Sequence, residues 1–206
     1  MLKVGLTGSI ATGKSLVAEL LAARGCRVLH ADLIAHELMA PGKPAYEEIV
    51  SQFGRNILGP TGVIDRQRLA KIVFADRQQL EQLNRILHPR VLTETEQEMA
   101  RLKQADSQAV VVLEAALLIE SGYHKQLDKL IVTWCPPEQQ IERLRARDGL
   151  TPAAAQQRVQ AQISTEEKRR HADYEIDCSN SLEETEAQVE RLYQELRGLA
   201  EKPAAR

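Results

Sequence analysis

Leu2-Lys3-Val4-Gly5-Leu6-Thr7-Gly8-Ser9-Ile10-Ala11-Thr12-Gly13-Lys14-Ser15 is a short apolar run that ends in a glycine-bounded turn. Residues 2–7 read as a buried strand. From Gly8 the turn follows the pattern G-x-x-x-x-G-K-S, and apolar residues at helical spacing then run from Lys14 to Arg24, stopping at Gly25. At background residue frequencies the pattern occurs by chance in roughly one chain of this length per hundred. A strand before it and a helix beginning at its lysine make the match much more specific.

Each position has a physical reason. Gly8 and Gly13 let the backbone bend so that successive N–H groups, those of Ala11 and Thr12 among them, turn inward to a phosphate. The helix that starts near Lys14 adds its positive end, with Leu16 in its first turn. Lys14 can bridge the β- and γ-phosphates of a nucleotide, and the Ser15 hydroxyl can ligate Mg²⁺. Such a loop implies binding of a nucleotide with Mg²⁺. It leaves open whether the chain transfers the phosphoryl group or only switches on it.

Outward from the loop, Cys26 to Ala31 reads as a second strand ending at Asp32, which completes a right-handed βαβ unit. From Asp32 to about Lys103 the pattern is mainly helical, broken at Pro41-Gly42, at Gly59-Pro60 with Gly62, and at Pro89. Val110 to Leu113 and Leu130 to Thr133 are two further buried strands. Pro136-Pro137 opens a helix through Arg147, Asp148-Gly149 breaks it, and Thr151-Pro152 starts another to about Ile163. Tyr174 to Cys178 is a last strand. Ser181 to Leu199 is a closing helix, with Ser181 and Glu184 as a capping box, and the tail from Pro203 reads as disordered. The expectation is an α/β fold: a parallel sheet with helices on both faces. A single domain would comprise a core of about 1–32, 107–146 and 171–200, a helical insertion of about 33–104 and a lid of about 147–170.

Composition narrows the partners. The chain has 206 residues, a net charge of −2, 43% hydrophobic residues and only 3% aromatic ones. That balance offers neither a long-range field for nucleic acid nor a surface for stacking its bases. No apolar run reaches the roughly 18 residues of a membrane span. Cys26, Cys135 and Cys178 are far apart and show no CxxC spacing, as in a protein with reduced thiols. The reading is a soluble cytoplasmic protein, a monomer or small homo-oligomer, without nucleic-acid or membrane partners. Basic residues gather at Arg143, Arg145 and Arg147 and at Lys168, Arg169 and Arg170. Such runs serve either as solvated helix faces or as phosphate ligands.

Two classes of nucleotide protein separate here. A GTPase switch carries Asn-Lys-x-Asp and Asp-x-x-Gly, and neither occurs in this sequence. A kinase instead needs a carboxylate to orient the acceptor hydroxyl and arginines to close over the phosphates. Asp32 follows directly from a strand, at the edge where such sheets bind ligands. It reads equally as a helix N-cap. Arg143 and Arg147, four residues apart, share a helical face, and their forks suit phosphate oxygens. Surface arginines would look the same.

The residues resemble the dephospho-coenzyme A kinase family over nearly the whole chain. The matching run begins with GLTGSIATGKS from Gly5 and His30-Ala31-Asp32, then Pro41-Gly42-Lys43-Pro44-Ala45, Phe53-Gly54, Asp65-Arg66 and Leu83-Asn84-x-Ile86-x-His88-Pro89. It continues through Leu117-Leu118-Ile119-Glu120, Arg143-x-x-x-Arg147-Asp148, Arg158, Gln162, Lys168 and Ala172-Asp173-x-x-Ile176-Asp177. The resemblance implies a P-loop NTPase fold of the nucleoside-monophosphate-kinase type. It also implies ATP- and Mg²⁺-dependent phosphorylation of the ribose 3′-hydroxyl of dephospho-coenzyme A. On that analogy Asp32 accepts the hydroxyl proton or orients the oxygen, Arg143 and Arg147 close over the phosphates, and His88 helps hold the substrate. His88 reads equally as a structural histidine at a helix end. Departures are Ser9 and Ala11 for family glycines, Leu16 for a common threonine, and His30 for the first aspartate of an Asp-Ala-Asp element. Glu114-Ala115-Ala116 stands where a proline-containing segment is usual, and Cys178 where an asparagine is. The rival readings are another small-molecule or nucleoside-monophosphate kinase and a non-catalytic nucleotide-binding regulator.

Overall fold

A computed structural model of the chain describes residues 1–201; the expectation for the tail from Pro203 lies outside the described residues. Five strands form one sheet in the order β2-β3-β1-β4-β5. They are β1 (Leu2–Thr7), β2 (Arg27–His30), β3 (Val110–Glu114), β4 (Lys129–Trp134) and β5 (Tyr174–Asp177). β1 lies at the centre, parallel to β3 on one side and to β4 on the other, and β5 continues parallel from β4. This is the parallel α/β fold expected from the sequence.

The chain divides into two compact units. The first comprises Met1–Leu29 and the chain from Leu102 onward, and holds the sheet's core. Its helices are α1 (Lys14–Ala23), α6 (Pro137–Asp148), α7 (Pro152–Gln160), α8 (Thr165–Arg169) and α9 (Leu182–Glu201). Val4 and Leu6 alternate onto one sheet face, where they pack with Val17 and Leu21 of α1 and Val189 and Leu196 of α9. All six are fully buried, and each such aliphatic side chain contributes about 1.5–3 kcal/mol.

The second unit, His30–Arg101, is helical. It contains α2 (Ala31–Leu38), α3 (Pro44–Phe53), α4 (Arg66–Ala75) and most of α5 (Arg77–Ala105), closed around Ile49, Phe53, Ile57, Leu69 and Ile86. The breaks expected at Pro41-Gly42 and at Gly59 to Gly62 fall between helices. The break expected at Pro89 does not occur, because α5 runs through it for 29 residues. Pro89 lacks the N–H that would reach the Arg85 carbonyl. Nearby, Arg90 Nη1 donates to the Ile86 carbonyl at 2.6 Å and Thr93 Oγ1 to the Pro89 carbonyl at 3.0 Å, side-chain bonds added to the helix on either side of the proline.

Other boundaries shift for local reasons. β2 stops at His30, whose extended backbone makes it the N-cap of α2, so Ala31 is already helical. The helix expected to reach Ile163 ends at Gln160, and α8 follows as a separate element started by Ser164, whose Oγ accepts the Glu167 N–H at 3.1 Å. Ser181 caps α9 as expected, accepting the Glu184 N–H at 3.3 Å. Among the described residues no helix is long and apolar enough to cross a membrane.

Candidate active site

The phosphate loop joins the central strand β1 to α1, both in the first unit. Glycine is required at its two ends. A Cβ on Gly8 would lie 2.6 Å from the Thr133 carbonyl oxygen, which is backbone and cannot give way. Gly13 is the N-cap of α1 at φ 95°, in the left-handed region, with the Cys178 sulfur 2.9 Å from where a Cβ would be. No side chain caps α1 and no acidic residue lies in its first turn, so its positive end is left to attract an anion.

Within the loop, Thr12 is fully buried and donates to the Ser9 carbonyl at 2.8 Å, with Thr133 Oγ1 also 2.8 Å away. Its side chain braces the loop from behind. Lys14 Nζ folds back over the loop onto the carbonyls of Gly8 and Ser9, at 3.0 and 3.1 Å. The ammonium therefore already hangs above the turn it would share with phosphate.

Ala11, Thr12, Gly13, Lys14, Ser15 and Leu16 line a cleft of about 820 Å³ together with Arg143 and Arg147 of α6. Cys178 and the loop from Asn180 into α9 form the rest of its wall. Arg143, half-buried, donates through Nη2 to the Cys178 carbonyl at 2.5 Å and through Nη1 to the Ala11 carbonyl at 3.4 Å, which fixes its guanidinium against the loop. Arg147 is exposed and grips Asp148 with Nε at 2.7 Å and Nη2 at 3.1 Å. Arg158 of α7 reaches the same carboxylate at 2.9 Å. Asp148 is thus a hub between α6 and α7 as well as the end of a helix. Arg147's hydrogen bond is the main cause that holds its carboxyl below the usual carboxylate range.

Ser15 Oγ lies 3.4 Å from Glu114 Oε1 at the end of β3. The sequence reading noted Glu114 only as part of a departure from the family pattern. The available signal was an acidic residue closing a buried strand, which puts a carboxylate at the ligand-binding edge of the sheet. A hydroxyl and a carboxylate are hard oxygen donors of the kind Mg²⁺ takes alongside substrate phosphates. The thiols near the cleft have no such role. Burial pushes Cys178 up to about 12 and raises Cys135 as well, so both stay protonated.

The remaining candidates belong to the second unit. Asp32 is exposed in the first turn of α2 and is not its N-cap, a place taken by His30, so the capping alternative falls away. His88 lies in α5 immediately before Pro89, and desolvation lowers its pKa from the usual histidine value. Of the two basic runs, the one around α8 is not simply a solvated face. Lys168 is fully buried, with Nζ 2.6 Å from the Ala116 carbonyl and 2.9 Å from Glu120 Oε1.

The chain compares closely with known proteins. A family profile described as dephospho-CoA kinase matches residues 2–184. The dephospho-CoA kinase of Thermobifida fusca (strain YX) is 45% identical over 196 residues, covering 95% of this chain and 96% of that one. Among solved structures, TT1252 from Thermus thermophilus aligns with a TM-score of 0.80 and 33% identity over 95% of this chain and 97% of that one. A dephospho-CoA kinase from Campylobacter jejuni aligns with a TM-score of 0.64 and 30% identity, over 94% and 96%. The profile takes in the phosphate loop, both arginines, Asp32 and His88 alike, and the chain belongs to the dephospho-CoA kinase family.

Proposed function

We propose that this chain transfers the γ-phosphoryl group of ATP to the ribose 3′-hydroxyl of dephospho-CoA, giving CoA and ADP. The observation that carries the reading is the single cleft lined by the phosphate loop, Arg143 and Arg147 in a chain of this family. Lys14 leaves the loop carbonyls for the β- and γ-phosphate oxygens, and the N–H groups at the start of α1 hold the β-phosphate. Arg143 acts from its fixed position beside Ala11. Arg147 exchanges the Asp148 carboxylate for phosphate as the segment 147–170 closes as a lid, offsetting charge in the transition state and keeping water out. Asp32 orients the acceptor hydroxyl and takes its proton. The helical insertion 33–104 holds the acceptor, with His88 among its contacts. Ser15 and Glu114 are the residues that would hold Mg²⁺, which when bound neutralises phosphate charge and aligns the chain for in-line transfer.

Purified chain supplied with ATP, Mg²⁺ and dephospho-CoA is expected to form CoA and ADP in equal amounts. Phosphorylation of a different acceptor with no CoA formed would show another small-molecule kinase, and ATP binding without any transfer would show a regulator. Asp32→Asn is expected to lower kcat by about a hundredfold or more while leaving the affinity for ATP unchanged. Turnover within a few-fold of normal would remove Asp32 from the chemistry.

A further inference from the structure

Among the described residues Ala11 alone, glycines aside, has a positive φ, at 61°. It sits at the middle of the phosphate loop, where the peptide must turn to make the cradle. A residue with a Cβ holds the left-handed conformation only where its surroundings impose it. On one side the Ala11 carbonyl is engaged by Arg143. On the other, the preceding N–H, that of Ile10, donates to Gln162 Oε1 at 2.8 Å, and Ser9 Oγ donates to the Ile163 carbonyl at 3.2 Å.

Gln162 and Ile163 lie in the link between α7 and α8, the trailing part of the proposed lid. That link is itself fastened. Buried Gln140 of α6 donates to Thr165 Oγ1 at 3.1 Å, and the fully buried Lys168 binds the Ala116 carbonyl and Glu120. The Ala116 carbonyl also accepts from Thr7 at the end of β1. The link from 162 to 168 is therefore anchored at several points to the frame that carries the loop, and the Gln162 amide oxygen accepts the N–H of Ile10, the residue just before the strained one.

We infer that Gln162 is a positioning residue for the nucleotide site: by accepting the Ile10 N–H it fixes the Ser9–Ile10 peptide and so holds the next residue, Ala11, in the left-handed turn that forms the cradle. It acts through the loop backbone without touching the nucleotide. Its effect depends on Ala11, because a glycine there adopts the same turn without strain. The inference rests on the reading above only in taking ATP as the cradle's ligand.

The test is a four-variant cycle in which the Kd for Mg-ATP is measured by calorimetry with no acceptor present. Gln162→Met keeps the length of the side chain but cannot replace the amide acceptor, and is expected to raise Kd about tenfold. In an Ala11→Gly background the same change should raise it by no more than about threefold. Amide exchange supplies a readout that a merely structural role would not move. The Ile10 N–H should exchange faster in Gln162→Met while amides within α1 keep their protection, and Gln162→Glu, which retains an acceptor oxygen, should keep Ile10 protected. Gln162→Asn, too short to span to Ile10, replaces the Met variant should that one fail to fold. An equal rise in Kd in both backgrounds, or unchanged Ile10 exchange, would overturn the inference. Failure of the wild-type chain to make CoA refutes the proposed transfer instead and leaves the binding and exchange results to stand by themselves.

Discussion

Single residues decide whether the cleft can bind and use a triphosphate. Gly8 is fixed by the Thr133 backbone, Lys14 already bridges two loop carbonyls, and Ser15 faces Glu114. The last pair makes a prediction that belongs to this scale. Glu114→Gln keeps the shape of the side chain and a hydrogen-bond partner for Ser15 but removes the negative charge beside the expected cation. It should raise the Mg²⁺ concentration needed for half-maximal activity by about ten- to a hundredfold, with little change in thermal stability. A titration of activity against Mg²⁺ at saturating ATP would check this, and an unchanged midpoint would dismiss Glu114 from the metal's surroundings. Most of these residues were readable in advance, because the loop's roles follow from consecutive positions in a local pattern. For Glu114 the sequence offers only its place at the end of a buried strand; that it meets Ser15 depends on β3 lying next to β1, a pairing between segments about a hundred residues apart.

At the level of elements, α8 shows how a short helix is held in place. It has 5 residues, too few to be stable alone, and it is secured by a fully buried lysine. The two partners of that ion pair are not equivalent: the Lys168 side chain is 0% exposed and that of Glu120 is 22% exposed. Lys168→Met leaves a carboxylate that water can still reach and fills the lysine's space with an apolar chain. Glu120→Ala leaves a buried ammonium with too few acceptors. The glutamate variant should therefore lose about 3–5 kcal/mol in urea unfolding, and the lysine variant distinctly less. Equal losses would mean that packing, and not charge, fixes α8. The sequence pattern extends α7 to about Ile163 and assigns no separate helix to residues 165–169. Ser164 with Glu167 three residues later is a capping box that could have separated them. Pro89 departs in the opposite sense: a proline inside a helix removes one backbone hydrogen bond and usually ends or kinks it, yet α5 continues through this one.

The whole molecule carries three buried thiols and no disulfide among its described residues. Burial raises Cys26 from 9.0 to about 11 and Cys178 from 9.0 to about 12. Below pH 9 the thiols are protonated in folded and unfolded chains alike, so the full stability is present there. As pH climbs from 9 through 11 and 12 the unfolded chain releases protons that the folded one retains, and stability is lost, at most about 1.4 kcal/mol per pH unit for each thiol. Urea midpoints measured at pH 6, 7.5 and 10.5 should stay level over the first interval and fall over the second. Cys26→Ala should make that fall shallower, and an unaltered fall would place its cause elsewhere. At this scale the fold class was legible, because four of the five strands are short apolar runs with local signatures. The strand order was not, because it depends on which distant runs meet.

That order has a consequence for how the protein is made. Leu2 pairs with Val110, and Val4 with Lys129, so β1 gains its neighbours only from far down the chain. On a ribosome, the segment that will carry the phosphate loop is synthesised well before either strand that flanks it. Until β3 has left the exit tunnel, Val4 and Leu6 have no strand to pair with, and they present an apolar stretch of the kind chaperones bind. The nucleotide cradle is thus early in synthesis and late in assembly. A nascent chain would therefore first gain the ability to retain ATP only once β4, Arg143 and Gln162 have all cleared the tunnel, well after residue 162 has been added.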